Sequence, residues 1–179
     1  DLSKASLTAE ESMLTYFSPD INGFSFSIQS RLQDETDASS NEQSLHASAA
    51  YDFGAGSLHI GYDDKGLSSN SNDEVMGFAA EFDLSDAIEV GFKHETETAS
   101  DVDTDYTGIG VSFDYGTGNV YGAYQSVSPD GGSDKSQYAV GADVEIEDGF
   151  TLYAEYGAFD GQSASDADTL MSVGLLYEF

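Results

Sequence analysis

The sequence predicts an all-β protein, an antiparallel up-and-down β-barrel that crosses a membrane with its strands. Segments of about eight to twelve residues alternate apolar with small or polar side chains, which is the period of a β-strand. The connections between these segments alternate between short and long. All short turns then fall at one edge of the sheet and all long loops at the other, as in outer-membrane barrels.

The composition excludes several classes of protein. The 179 residues include 34 acidic and only 5 basic side chains, for a formal net charge of −29. Because phosphate binding needs Lys and Arg, we expect no nucleic-acid partner. The 11 Tyr and 11 Phe are too many for a disordered acidic chain. Cys is absent, which excludes disulfides and thiolate metal sites, and there is no run of about 18 apolar residues for a transmembrane helix.

Eleven segments carry the strand pattern, and no long helix is predicted. In the clearest, 136–147, Tyr138 and Val140 share one face while Gln137 and Asp143 share the other. The two faces of the first segment are not distinguished by the pattern. The segments are 12–18, 24–32, 44–53, 57–62, 74–84, 87–94, 105–115, 118–126, 136–147, 150–159 and 168–179.

The connections predict a polar edge and an edge of tight turns. The long connections are rich in Asp, Glu, Ser and Asn, so acidic charge gathers at their edge. The short connections are 19–23, 54–56, 85–87, 116–118 and 147–149, and the long ones are about 33–43, 63–73, 95–105, 127–136 and 160–168.

Aromatic residues crowd the short-turn edge. Such rings tolerate the boundary between lipid and water, and they form girdles in membrane barrels. Strands of this length, tilted by about 45°, would cross a hydrocarbon core of roughly 30 Å. The predicted girdle comprises Phe17, Phe24, Tyr51, Phe53, Phe82, Phe113, Tyr115, Phe150 and Phe179.

The last strand carries a resemblance. Its alternate residues Val173, Leu175, Tyr177 and Phe179 resemble the C-terminal signature of outer-membrane barrel proteins, which in that family directs the chain to the assembly machinery. The whole chain resembles the C-terminal portion of the bacterial general-diffusion porins, especially the acidic alphaproteobacterial type. The stretch SLTAEESMLTYFSP, residues 6–19, resembles the passage from their third loop into their sixth strand.

The resemblance implies a fold, a location and a function. It implies a homotrimer of sixteen-stranded barrels in the Gram-negative outer membrane, in contact with lipid and lipopolysaccharide and passing small hydrophilic solutes. Residues 1–179 would be one β-barrel domain, with 1–11 ending the constriction loop and Lys4, Glu10 and Glu11 as its remnant. Because eleven strands would leave an open edge, we expect about five N-terminal strands to be missing from this sequence.

The inner face of the predicted barrel mixes charged side chains with many Gly, Ala and Ser. Small and charged side chains cannot fill a core, which favours a water-filled lumen. Negative walls raise the local cation concentration, so the sequence predicts a preference for cations. The predicted pore-lining residues are Arg31, His46, His59, Glu81, Asp83, Glu89, Lys93, Asp114, Gln125, Asp143, Glu145 and Glu155.

One acidic stretch invites a metal interpretation. DVDTD, residues 101–105, has the rhythm of a calcium loop, but Tyr106 stands where that loop needs Gly and no Glu follows at the twelfth position. We therefore expect no EF-hand. A looser divalent-cation site at Asp101, Asp103 and Asp105 stays open, with calcium as its ion. No other cofactor is predicted.

Three histidines fall on the predicted strands. His46 and His59 share the inner face, where a solvated wall is favoured over a metal pair, and His94 falls on the lipid side near the outer boundary. No Ser/His/Asp set has supporting motif context, so no enzyme is predicted. Two alternatives remain: an outer-membrane barrel with a structural or adhesive role and no open pore, or a soluble acidic β-sandwich that binds calcium or sugar.

Overall fold

The fold consists of eleven antiparallel strands joined in chain order. A computed structural model describes residues 13–31, 44–64, 73–160 and 169–177, and each strand is hydrogen-bonded to the next. No helix in this described part is long and apolar enough to cross a bilayer. The strands are β1 (Met13–Phe17), β2 (Phe24–Arg31), β3 (Leu45–Asp52), β4 (Gly56–Asp64), β5 (Glu74–Ser85), β6 (Ile88–Ala99), β7 (Val102–Asp114), β8 (Asn119–Pro129), β9 (Lys135–Glu147), β10 (Phe150–Asp160) and β11 (Thr169–Tyr177).

The chain packs as two compact units. The first comprises Asp1–Ala80 with Lys93–Asp105, and it holds β1 to β4 with the long-loop portions of β5, β6 and β7. The second comprises Glu81–Phe92 with Tyr106–Phe179, and it holds the remaining portions of those three strands with β8 to β11.

All eleven predicted strands are confirmed, and pairing settles the faces of the first. Tyr16 lies opposite Ile28 and its ring contacts that of Phe26, with centroids 5.8 Å apart. Phe17 lies opposite Ser27, whose hydroxyl bonds Ser48, so Phe17 belongs to the polar face. Its predicted place in a lipid-facing girdle is therefore wrong.

The connection between β6 and β7 is not the long loop 95–105 that the sequence predicted. β6 continues to Ala99 and β7 begins at Val102. Ser100 and Asp101 both adopt left-handed conformations, with φ of 53° and 62°. Positive φ at both central residues is the pattern of a two-residue type I′ hairpin turn, whose twist suits antiparallel strands. The polar residues before and after this turn are therefore strand residues.

The predicted loop 127–136 is also shorter than expected. β8 runs to Pro129 and β9 starts at Lys135, which leaves five residues, 130–134, outside the strands. The strict alternation of short and long connections therefore fails at two long-loop positions. In both cases the connection is shorter because the strands beside it extend further toward that edge than the sequence predicted.

The short-turn edge has the expected chemistry. Asn22 and Gly23 adopt positive φ between the paired residues Ile21 and Phe24. At the turns after β3 and β7, the side chains of Asp52 and Asp114 accept hydrogen bonds from the backbone two residues ahead, at 2.7 and 2.6 Å. These Asx-type bonds satisfy the turn backbone locally.

Aromatic contacts cluster near these turns. The rings of Phe150 and Tyr177 stack with centroids 4.4 Å apart, and those of Tyr51 and Phe53 lie 6.3 Å apart. Phe150 and Tyr177 are also directly paired across β10 and β11. The predicted girdle thus has ring contacts in both units, while Phe179 lies outside the described residues.

The distribution of apolar side chains is the reverse of that in a water-soluble domain. Among the described residues, the buried apolar positions are Val75 and Ala80, whereas Gln29, Asp63 and Glu95 are buried with 4, 5 and 2% exposure. The large apolar side chains of the strands are exposed, as Met76, Val140 and Val173 illustrate. Soluble proteins bury such groups.

Candidate functional site: the polar face of the sheet

In the first unit, the polar face carries a row of hydrogen-bonding side chains across β2, β3 and β4. Gln29 pairs with His46, and His46 pairs with Asp63. His46 Nδ1 lies 3.2 Å from Asp63 Oδ1, and Thr15 donates its hydroxyl to Gln29 Oε1 at 3.2 Å. The row is polar throughout and largely buried, so this face is not an apolar core.

The second histidine of this face stands apart from the first. His59 lies opposite Ala50, four residues along β4 from Asp63, and its Nε2 lies 2.8 Å from the hydroxyl of Ser57. His46 and His59 therefore share a face but have separate partners. No group of three His, Asp or Glu side chains suited to a metal ion occurs among the described residues.

Glu95 is a feature of this face that the sequence analysis missed. It lies on β6 with only 2% exposure, and the structure gives its Oε1 no hydrogen-bond partner. The sequence prediction ended β6 at residue 94, so Glu95 fell into a predicted loop. Its alternation with Lys93 would have placed it on the polar face if the strand had been extended.

In the second unit, the polar face is organised in rows across β8 to β11. One row contains Tyr121, Gly141, Glu155 and Ser172 in register. Tyr121 donates its hydroxyl to Glu155 Oε1 at 2.9 Å, and Ser172 donates to Glu155 Oε2 at 3.0 Å. Both oxygens of this carboxylate are thus held by side chains of other strands.

The next row toward the short turns contains a second fixed carboxylate. Asp143 pairs with Tyr153, and Tyr153 pairs with Gly174. Asn119 donates from its backbone nitrogen and from Nδ2 to Asp143 Oδ1, at 2.9 and 3.3 Å. Two tyrosines of this face, Tyr121 and Tyr153, were missed by the sequence analysis because each interrupts a face read as small and charged.

The positions of the other predicted pore-lining residues follow from the alternation of side chains along the strands. Gln125 accepts a hydrogen bond from Gln137 Nε2 at 2.6 Å, which links β8 to β9. Arg31 ends β2, but its side chain lies outside the described part, as do Lys4, Glu10 and Glu11 entirely. The remaining predicted residues lie on described strands and alternate with apolar neighbours; they are Glu81, Asp83, Glu89, Lys93, Asp114 and Glu145.

The opposite, apolar face of the first unit carries a groove of about 880 Å³. It is large enough for a ligand, but its lining is mostly apolar and belongs to the face turned away from Gln29, His46 and Asp63. Its lining includes Phe26, Ile28, Ala49, Ile60, Met76 and Phe78. The groove therefore belongs to the apolar face of the sheet and not to the polar face.

The predicted cation site has a different geometry from a metal loop. Asp103 and Asp105 lie on β7, where they accept hydroxyl hydrogen bonds from Thr98 and Thr96 at 2.7 and 2.6 Å, while Asp101 lies in the turn. The prediction of a loop is wrong here, because these threonine–aspartate pairs join two strands. Calcium binding at these carboxylates remains a prediction.

His94 lies on the apolar face, as expected. Its ring contacts that of Phe78 with centroids 5.8 Å apart, and its Nε2 lies 3.9 Å from Asp105 Oδ1. On β11, Val173, Leu175 and Tyr177 of the predicted assembly signature are exposed on one face. Their role in assembly remains a prediction.

The comparison with protein families decides the classification. The model of the Gram-negative porin family matches residues 2–179. The chain belongs to the Gram-negative porin family. A search of curated proteins found no match.

Solved porin structures share the fold of this porin chain. A refined porin structure aligns with a TM-score of 0.77 and 19% identity over 93% of this chain and 60% of its own. A mutant porin of Rhodopseudomonas blastica aligns with a TM-score of 0.71 and 18% identity, over 93% of this chain and 54% of its own. An anion-selective porin from Comamonas acidovorans aligns with a TM-score of 0.70 and 17% identity, over 92% and 54%.

The porin chain therefore spans a little over half the length of these structures. At these identities the alignments establish the fold alone. The chain forms part of an antiparallel up-and-down porin barrel.

Proposed function

We propose that this porin chain forms part of an outer-membrane channel for passive diffusion of ions and small hydrophilic solutes. In this proposal the polar face lines water and the apolar face contacts lipid. Transport needs no chemical step, because solutes move down their own gradients through a wet lumen. The proposal applies to the protein that contains this chain, since about five further strands would be needed for a sixteen-stranded barrel.

The observation that carries the proposal is the reversed burial pattern. Large apolar side chains such as Met76 and Val173 are 67 and 65% exposed, while the buried side chains include Gln29, Asp63 and Glu95. In water, exposure of so much apolar area would be costly, at about 25 cal/mol per Å². In a bilayer the same surface is solvated by acyl chains, which supports the lipid-facing assignment.

We further propose that the channel prefers cations. The polar-face strands carry Asp63, Glu95, Asp143 and Glu155, and most other charges predicted for this face are also acidic. A narrow aqueous path with negative walls concentrates cations. An anion-selective porin shares the fold, so the fold alone does not set the sign of selectivity.

The surroundings follow from the apolar face. We propose that acyl chains of outer-membrane lipid occupy the groove of the first unit, with lipopolysaccharide beyond its polar end at Thr98 and Asp103. Assembly as a homotrimer, and a constriction loop ending in residues 1–11, are proposals that rest on family membership.

Conductance measurements test this function. The protein containing this chain should form channels in planar bilayers, and reversal potentials under a KCl gradient should show K⁺ more permeant than Cl⁻. Absence of conductance would favour the closed structural barrel. Open channels with a clear anion preference would refute the cation preference alone.

A further inference from the structure

Glu155 occupies an unusual position on the polar face of the second unit. Tyr121 lies two strands away, yet its hydroxyl reaches Glu155 Oε1 at 2.9 Å. Between them lies Gly141, and a Cβ built there would overlap the Tyr121 ring. The missing side chain of Gly141 is therefore what lets the ring lie across β9 and reach the carboxylate.

The same construction recurs one row away. The ring of Tyr153 covers Gly174, where a Cβ would overlap it, and Tyr153 is paired with Asp143. Aromatic rings that lie over cross-strand glycines are a known way to fix a sheet's packing. Here they also fix ring faces beside two carboxylates, Asp143 and Glu155, on neighbouring strands.

The two carboxylates belong to neighbouring strands and to adjacent rows of the polar face. Glu155 pairs with Gly141, and Asp143 is two residues further along β9, so the backbones of the two acids occupy diagonal positions, which in a sheet lie about 7–8 Å apart. Glu155 is exposed, while Ser172 and Tyr121 fix its orientation. A cation meeting this wall finds oriented charges that need no rearrangement.

The row on the other side of Glu155 is made of small residues. Ala123 pairs with Ala139, which pairs with Gly157. This row leaves room on the polar face for the body of a solute whose charged end reaches Glu155. Tyrosine rings attract cations through their faces, and charge-assisted hydrogen bonds to carboxylates add to that attraction.

We propose that Glu155, oriented by Tyr121 and Ser172, is the specificity-determining contact of this wall for small organic cations that carry an ammonium group and an apolar body. Asp143 is the second charge of the contact. Tyr121 and Ser172 act as positioning residues. The proposal rests on the proposed function, because it requires the polar face to line the water path.

The test uses the complete channel-forming protein in planar bilayers, with phenethylammonium as the probe and 2-phenylethanol as its neutral analogue. We expect phenethylammonium, and not the neutral analogue, to interrupt the K⁺ current in a concentration-dependent manner. Glu155→Gln should weaken this block by about tenfold, which corresponds to loss of one charge-assisted contact. Glu145→Gln, a charge loss elsewhere on β9, should change it by less than about twofold.

A glycine variant tests the positioning of Glu155 without removing its charge. Gly141→Ala retains Glu155 but displaces the Tyr121 ring, so it should weaken block several-fold. The matched control is Gly122→Ala, next to Tyr121 but on the opposite face of β8, where the new Cβ meets nothing closer than 3.5 Å and block should be unchanged. If Gly141→Ala fails to fold, Tyr121→Phe removes the hydroxyl alone and should give a smaller loss in the same direction.

The outcomes distinguish the two proposals. Conducting channels in which Glu155→Gln leaves phenethylammonium block unchanged, or in which Glu145→Gln weakens block equally, would overturn the contact site and leave the porin function intact. Absence of conductance in the unmodified protein would refute the porin function and this site with it.

Discussion

At the short turns, backbone conformation limits which residue types fit at individual positions. Gly23 has φ of 86°, in the region that side-chain-bearing residues avoid, and a Cβ there would overlap the carbonyl oxygen of Asp52. Gly54 has almost the same φ, 87°, but nothing lies within 4 Å of its Cβ position. A side chain at Gly54 would therefore meet backbone strain alone, whereas a side chain at Gly23 would meet both backbone strain and steric overlap.

We predict that Gly23→Ala lowers the free energy of unfolding more than Gly54→Ala. The left-handed conformation costs a residue with a Cβ about 1–2 kcal/mol, and both variants incur that cost. Only Gly23→Ala also displaces the Asp52 backbone, whose N–H donates to Gly23 O at 2.8 Å. Urea unfolding of the protein refolded in detergent micelles measures the difference, and equal losses would contradict this description of the turn.

Single side chains also explain why the polar-face tyrosines escaped sequence analysis. Alternation assigns Tyr121 to the same face as Gln125, but a tyrosine next to charged residues gives no sign that its ring lies flat across a neighbouring strand. That arrangement depends on Gly141, which is 20 residues away and becomes its neighbour only through the register of β8 and β9. Strand pairing, and not local sequence, creates the contact.

At the scale of elements, the sequence predicts strands better than the connections between them. All eleven strands are present because the alternation of apolar and polar residues is long and regular. The segment TETASDVDTD was assigned to a loop because it is mostly polar and rich in Asp. Cross-strand bonds from Thr96 to Asp105 and from Thr98 to Asp103 instead hold it as a hairpin. Such pairs stabilise a sheet without apolar residues, so polarity alone misleads.

The hairpin turn gives a second prediction. Asp101 has φ of 62° in a turn that favours glycine at this position. We expect Asp101→Gly to raise the free energy of unfolding by about 0.5–1 kcal/mol, since the strain is relieved. The same urea measurement on detergent-refolded protein checks the change.

Asp148→Gly is the control variant for Asp101→Gly. Asp148 also lies in a two-residue connection but is not among the residues with positive φ, so Asp148→Gly should be neutral or destabilising. Destabilisation by Asp101→Gly would argue against the tight turn and would favour a loop that uses the Asp101 carboxylate, as a cation site would require.

At the scale of the whole molecule, the sequence predicts the family better than the individual site. The terminal signature and the strand alternation indicate an outer-membrane barrel, the resemblance of the whole chain indicates a porin, and the family match over residues 2–179 agrees. Lys4, Glu10 and Glu11, the predicted remnant of the constriction loop, lie outside the described residues. The proposed selectivity therefore rests on the strand walls.

The central claim is that neighbouring residues of one strand face different solvents. Ala139 and Val140 are consecutive on β9, and both are exposed. Because the chain has no Cys, Ala139→Cys and Val140→Cys each create a unique attachment point for a nitroxide spin label. The two labels differ by one residue in position and differ in the face they occupy.

The most direct test is the accessibility of these two labels in lipid vesicles, measured by electron paramagnetic resonance with a water-soluble nickel chelate and with oxygen, which concentrates in lipid. We predict that the label at 139 is relaxed mainly by the nickel chelate and the label at 140 mainly by oxygen. A label at 140 that meets the chelate, together with a label at 139 shielded from it, would contradict the assignment of both faces.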